Sequence, residues 1–374
     1  MVQREMLERV PATARKTILG DDSEDGSLLV VAIAGLTLVA TILTFLFTPA
    51  YALPMLAVFV AVTAVGWVTY QAEIARLLTL VATVSTVLTV GFITAFLFSS
   101  AFPAFVEHGL GLLIIPEGQW FFGLDAVLPV DESYWNPSND VYSLLPMMWA
   151  TVIVTVIAIA VAGPLGLFGA LFISEVASDR MREFIKPGVE ILAGIPSIVY
   201  GFIGFQVLNG FIQTSFLDEG ASFLIAGIVV GIMALPTVVS VGEDSLSSVP
   251  SSMKDGSVAI GATQWQTMKS ISIPAAFSGI SAAIILGIGR AVGETMAVAA
   301  IMAAGVGLAN PLFDVFDASA TLTSLIATQY GSASESTIDV LFVAGVILFV
   351  IVGTMSVASQ YIEQQMKKKL KGQQ

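Results

Sequence analysis

The chain has 374 residues, of which 56% are hydrophobic and only 11% charged, and its mean hydropathy is +0.89. A soluble domain carries roughly a quarter charged residues, so the composition excludes an ordinary soluble protein and points to membrane spans. With no cysteine and a single histidine, His108, it also excludes disulfides, thiol-held metals and a histidine metal cluster; a lone loop histidine reads as plain surface.

The first 26 residues are polar and carry Asp21-Asp22-Ser23-Glu24-Asp25-Gly26. They lack the short apolar stretch after basic residues that marks a signal peptide, so 1–26 reads as a cytoplasmic tail and the first apolar run as a retained span. A span needs about 20 mostly apolar residues. Segments that meet this are Ser27–Phe47, Ala52–Tyr70, Ala75–Phe98, Leu144–Ile173, Pro187–Leu208, Ala221–Val241, Ala275–Ala304 and Ile338–Gln360. The expected fold class is all-α, a polytopic membrane protein of about eight transmembrane helices in the lipid bilayer. No nucleic acid is expected as a partner.

Cytoplasmic loops accumulate Lys and Arg. Threading eight spans from an inside N-terminus puts Arg4, Arg9, Arg15, Lys16, Arg76, Arg180, Arg182, Lys186, Lys254, Lys269, Lys367, Lys368, Lys369 and Lys371 inside, which is 14 of the 15 basic residues. None falls outside, and the last, Arg290, lies within a span. The expected placement is the cell (plasma) membrane, multi-pass, with both termini cytoplasmic and 361–374 as a basic tail.

Two long outside segments, Ser99–Tyr142 and Gly305–Thr337, are rich in acids and aromatics such as Trp120, Phe121, Phe122 and Trp135. They fit interfacial anchors or a docking face for an external partner. Pro164 and Pro236 sit in or near spans, where kinks are their default reading. Pro196, in Gly-Ile-Pro-Ser-Ile-Val-Tyr-Gly, interrupts backbone bonding inside a span, so that Ser197 and Tyr200 face a cavity or make helix–helix hydrogen bonds.

The long inside loop, Glu243–Pro274, predicts two short helices. Ser252 with Asp255 forms an approximate capping box for the first, and Gly261 is a natural stop. Thr263 with Gln266 is a second capping box, and Pro274 is expected to end that helix and begin the next span. Such an elbow suits a groove on another protein or serves as an interfacial connector with no partner.

The same loop reads Asp255-Gly256-Ser257, three residues, Gly261, nine residues, then Ile271-Ser272-Ile273-Pro274. This resembles the EAA motif of ABC importer permeases in spacing throughout; Asp-Gly-Ser replaces Glu-Ala-Ala, and Ile273 replaces Leu. Ile191–Phe205 (ILAGIPSIVYGFIGF), Gly287–Val298 (GIGRAVGETMAV) and Ala320–Ala327 (ATLTSLIA) narrow the resemblance to C-type permeases of phosphate-specific ABC importers. It covers residues from about Ala75 onward, 75–360 being the permease core of six spans; the two helices of 27–70 are extra to it. It implies a heterodimer with a second, A-type permease, two ATP-binding subunits and an external phosphate-binding protein, with the elbow (Asp255, Gly256, Ser257, Gly261, Ile271, Ile273, Pro274) meeting an ATP-binding subunit. No Gly-Lys dipeptide occurs in the chain, so no Walker A loop is present. No cofactor is expected on this chain, ATP and Mg being used by partners, and no enzymatic activity of its own.

Arg290 stands 15 residues into its predicted span, about 22 Å along the axis, where a charge is costly and calls for a role. Glu294, four residues on, would share its helical face. The pair reads either as an internal ion pair or, with Thr295, as lining of the anion pathway. Arg offers a planar fork of donors matched to oxyanions. An ionised carboxylate only accepts hydrogen bonds, so Glu294 would accept from protonated phosphate and repel sulfate. Gly289 and Gly293 read as a small-xxx-small packing pair. The expected function is an alternating-access permease for inorganic phosphate. Another oxyanion, sulfate or molybdate, and an ion-coupled secondary transporter are the alternatives. The acidic balance, 28 acids against 15 bases, is not explained by anion transport; a high-salt setting that screens charge would accommodate it.

Overall fold

A computed structural model describes residues 25–113, 134–211, 221–302, 305–309 and 311–371. The N-terminal tail, Trp120, Phe121, Phe122 and the C-terminal lysine side chains lie outside the described residues. The chain divides into two compact units, Met1–Phe96 and Leu97–Gln374, the division falling inside one long helix.

The first unit holds α1 (Asp25–Phe47), α2 (Ala52–Thr69) and the start of α3 (Gln71–His108). Its inner seam is narrow, with Val31, Ala34, Ile74 and Leu77 buried together. The remaining faces are apolar and exposed, as at Phe47 and Val68. A helix that is apolar all round and unburied by protein is suited to lipid. The threonines agree: Thr37, Thr41 and Thr44 each donate to a carbonyl three or four residues back, leaving no hydroxyl unsatisfied in hydrocarbon.

In the second unit a small hairpin, β1 (Trp135–Asn136) against β2 (Val141–Tyr142), precedes α4 (Leu145–Leu171), whose last turn widens into a π-turn at Phe172–Val176. Then follow α5 (Asp179–Gly194), α6 (Ser197–Ile203, widened to Asn209), α7 (Phe223–Ser247), α8 (Ser251–Ala259), α9 (Gln264–Thr267), α10 (Ile273–Val292), α11 (Met296–Met302), α12 (Leu322–Gln329) and α13 (Glu335–Lys371). Helix α7 is the centre, packed along α4 and α10. Small residues allow it: a side chain at Gly231 would strike Val161 and the Ala158 carbonyl, and one at Gly287 would strike Val238. Close backbone approach is how helices associate where lipid removes the hydrophobic drive.

Among the described residues seven helices are long and apolar enough to cross a membrane, and a bent pair falls on the predicted fifth span. Pro187–Leu208 is not one straight helix: α5 and α6 meet at 87°. The cause is local. Ile195 and Pro196 are extended, as the residue before a proline prefers, and α5 is amphipathic with no buried residue. The predicted span Ala275–Ala304 is likewise corrected. The helix runs from Gln264 to Val292 and breaks at Gly293-Glu294-Thr295 before α11. Pro274 does not end a helix. A π-turn at Met268–Ser272 precedes it, and the widened turn accommodates the missing proline N–H. Pro164 and Pro236 lie inside continuous helices.

The outside aromatics are also corrected where described. Trp135 and Tyr142 are buried core residues stacked edge to face, and the Tyr142 hydroxyl lies 2.9 Å from Thr337 Oγ1. His108 is the last residue of α3 and half-buried against the Tyr142 ring, not a loop surface residue.

The elbow forms as two short helices. The Thr263–Gln266 capping box is present in both its bonds, whereas α8 begins after Pro250 with no side-chain cap, so Ser252 and Asp255 make none. Gly261 joins them at φ +91°, where an L side chain is strained. Gly261→Val is expected to destabilise this turn by about 1–2 kcal/mol, read as faster hydrogen exchange across 251–267. Unchanged exchange would mean that the turn finds another conformation without cost.

Candidate functional site

Three separate stretches of sequence converge around the break between α10 and α11. Helix α6 lies directly on α11 at Gly201, with room for no side chain against the Ala297 backbone. Helix α12 is tied to the break itself: Thr323 Oγ1 donates to the Glu294 carbonyl at 2.7 Å. Helix α12 is held in place by a capping box at Thr321 and by Leu322 N donating to Thr151 Oγ1 of α4 at 3.1 Å.

Arg290 occupies the last turn of α10, where a cation suits the negative helix end. It is exposed on this chain. Its guanidinium makes one hydrogen bond among the described residues, a long 3.4 Å donation to Thr237 Oγ1 of α7. Most of its donors are left for another partner. Tyr200 precedes Gly201, the residue at which the α6 stretch meets α11.

Glu294 does not share a helical face with Arg290, because the helix has ended. Its Oε1 accepts from Ala297 N at 3.1 Å, on the first turn of α11. Among the described residues the ion pairs are Arg182–Glu243, Lys186–Glu243 and Lys254–Glu175, and an Arg290–Glu294 pair is not one of them. Thr295 Oγ1 folds back on the Gly293 carbonyl at 3.1 Å. Tyr200 donates to the Leu192 carbonyl at 2.9 Å, bracing the α5–α6 bend, and Ser197 opens α6 half-buried. Among the described residues Gly289 has no neighbouring atom within 4 Å of an added Cβ, and Gly293 meets only its own helix end, so neither packs against another described helix.

The elbow is a second place. Asp255 and Gly256 are exposed on α8, whereas Ser257 faces inward to Thr267 Oγ1 at 2.7 Å. Ile271, Ile273 and Pro274 are half-buried at its return. Its tip is apolar and exposed, with Val258 57%, Ile260 87% and Trp265 59% accessible. Lys254 fastens the elbow to α4 through Glu175 Oε1 at 2.7 Å, and Gln264 Nε2 donates to the Glu175 carbonyl at 2.6 Å.

Sequence reasoning missed Thr323, Thr237 and Gly201, which carry no charge and stand far apart in the chain. It also missed the buried carboxylate of Glu243, only 1% exposed. Its signal was present: an acid at the end of an apolar run, with basic residues in the preceding inside loop.

The family described as binding-protein-dependent transport system inner membrane component matches residues 162–368. The chain is similar to a probable ABC transporter permease protein, YqgH, of Bacillus subtilis, at 36% identity over 67% of this chain and 83% of the relative. It is 32% identical to a phosphate transport system permease protein, PstC, of Xylella fastidiosa, over 63% of this chain and 78% of the relative. Among solved structures, a bacterial alginate ABC transporter in complex with its pentasaccharide-bound periplasmic protein matches 81% of this chain and 98% of its own, with a TM-score of 0.51 at 14% identity, a likeness of fold alone.

Proposed function

Because the chain belongs to the family of binding-protein-dependent transport system inner membrane components, we propose that it gives alternating access to inorganic phosphate as one permease of an ATP-driven importer. Its relatives named as phosphate permeases suggest the substrate. The observation that carries the reading is Arg290: a permanent cation at the meeting of three stretches, with one weak neutral partner among the described residues. A charge cannot face hydrocarbon at little cost, so this face is turned to a pathway shared with a second permease. The guanidinium fork matches an oxyanion there. Glu294 and Thr295 lie at the adjoining break, with Ser197 and Tyr200 on the facing helix. The apolar elbow tip docks an ATP-binding subunit, two such subunits supply the hydrolysis of Mg-bound ATP, and an external binding protein delivers phosphate. The spans support a place in the cell membrane, and the distribution of Lys and Arg supports an orientation with the elbow and both termini inside.

The test is labelled phosphate uptake by vesicles holding the assembled complex, with excess sulfate as competitor and a parallel sample without ATP. ATP-dependent uptake that sulfate does not reduce is the expected result; no ATP-dependent uptake overturns the reading. Glu294→Gln keeps an acceptor for Ala297 N but removes the charge. It is expected to narrow the phosphate-over-sulfate preference by about tenfold, the scale on which like charge sets specificity. A preference unchanged in this variant would remove Glu294 from selection.

A further inference from the structure

The polar contacts on the elbow side of the chain form one continuous line. Lys254, on α8, reaches Glu175 Oε1 at 2.7 Å, and Glu175 stands in the π-turn that ends α4. Two residues earlier in the same turn, the Ile173 carbonyl accepts from Arg182 Nε at 3.1 Å and from its Nη2 at 3.0 Å. The Ser174 carbonyl accepts from Arg182 Nη2 at 3.0 Å. Arg182 belongs to α5 and extends on to Glu243 of α7 at 3.7 Å, and Lys186, one turn further along α5, meets Glu243 at 2.6 Å. Helix α5 then bends into α6, whose Gly201 rests on α11 beside Glu294.

Two features say that this line does more than hold the fold. A buried ion pair is weak evidence for stability, since desolvation offsets most of the attraction, and its best-attested use is to fix one arrangement against another. Here a carboxylate with 2% side-chain exposure is held by two cations from a helix that buries no residue; those charges tie α7 to α5. The π-turn at Phe172–Val176 frees the carbonyls that Arg182 takes, and such turns recur at functional sites.

We propose that Lys254 and Glu175, continued through Arg182 to Glu243, transmit movement of the elbow to helix α5, and through its bend to the α6–α11 contact beside Arg290 and Glu294. Lys254 and Glu175 are thus positioning residues that couple hydrolysis to transport. This rests on the reading of the chain as an ATP-driven permease. It gives the route by which the docking surface acts on the pathway, through a lever of charged groups rather than through the continuous helix from Gln264 to Val292.

The experiment measures ATP hydrolysis and phosphate uptake side by side in vesicles of the assembled complex, for Lys254→Met, Lys254→Arg, Glu175→Gln and the double variant Lys254→Met with Glu175→Gln. Lys254→Met and Glu175→Gln are expected to lower phosphate carried per ATP hydrolysed by about tenfold. Hydrolysis itself stays at or above the parental rate, Lys254→Arg stays within about twofold of parental, and the double variant is no worse than either single one. Parental transport per ATP in the single variants overturns the proposal, as does hydrolysis that falls in step with uptake, or single effects that multiply in the double variant. A parental complex that hydrolyses ATP yet carries no phosphate defeats the substrate reading alone. The variants are then judged by hydrolysis: a rate above parental in Glu175→Gln upholds the lever, and a parental or lost rate overturns it.

Discussion

Replacing Arg290 with alanine is expected to lower ATP-dependent phosphate uptake at least about a hundredfold, close to 2.7 kcal/mol, while the complex still assembles and hydrolyses ATP. The two halves of this expectation have separate grounds. The fold asks little of the side chain, which is exposed on this chain and makes one 3.4 Å bond to a neutral threonine. Losing such a bond costs about 1 kcal/mol or less. The anion asks much of it. Truncating one partner of a desolvated charge pair costs roughly 2–5 kcal/mol, most of it from leaving the other charge unmatched. Arg290→Lys keeps the charge but not the fork, so it should recover part of the rate and remain about tenfold below parental. Parental uptake in Arg290→Ala would take the guanidinium out of the pathway. Loss of hydrolysis together with uptake would make its role structural.

What the sequence made legible divides along physical lines. The presence of long apolar helices on most of the predicted spans followed from length and hydropathy, because a bilayer demands both. The elbow was legible down to the Thr263–Gln266 capping box and the glycine joint, since both are local, encoded within four residues. The errors lie where a chain-level rule met a competing one. Pro187–Leu208 is apolar enough for a span, yet its first half belongs to a helix whose Arg182 and Lys186, just ahead of Pro187, bind Glu243, and Pro196 turns the second half by 87°. Arg290 and Glu294 are four apart, which predicts one face only if the helix continues; it ends at Val292, and Glu294 turns instead to the amide of Ala297. Ser252 and Asp255 have capping-box spacing, but the helix starts two residues earlier than that box requires, behind Pro250. The contacts that assemble the site, Thr323 to Glu294 and Gly201 to Ala297, join residues 29 and 96 positions apart. No periodicity within a segment carries such information.

The contact at Gly201 leads to the second large effect. A Cβ there would stand 2.8 Å from Ala297 Cα, 2.9 Å from the Ala297 carbonyl oxygen and 2.8 Å from Ala300 Cβ. Two of these atoms are backbone, so no rotamer change relieves the clash and the helices must separate. Overpacking of this kind costs about 1–3 kcal/mol for small additions and more for larger ones. Gly201→Ala is therefore expected to leave an assembled but weakened complex, with a melting point several degrees lower and uptake down by about tenfold, because Tyr200 and the Glu294 break are pushed apart. Gly201→Val, with two further methyls against the same backbone, is expected not to accumulate in the membrane. Gly289 is the control: an added Cβ meets nothing within 4 Å in this chain, so Gly289→Ala should stay within about 0.5 kcal/mol of parental stability. Parental uptake in Gly201→Ala would show that α6 and α11 slide apart without consequence, and the convergence of the three stretches would then be packing alone. A defect in Gly289→Ala that appears only in the assembled complex would instead place the second permease against this face of α10, one residue from Arg290.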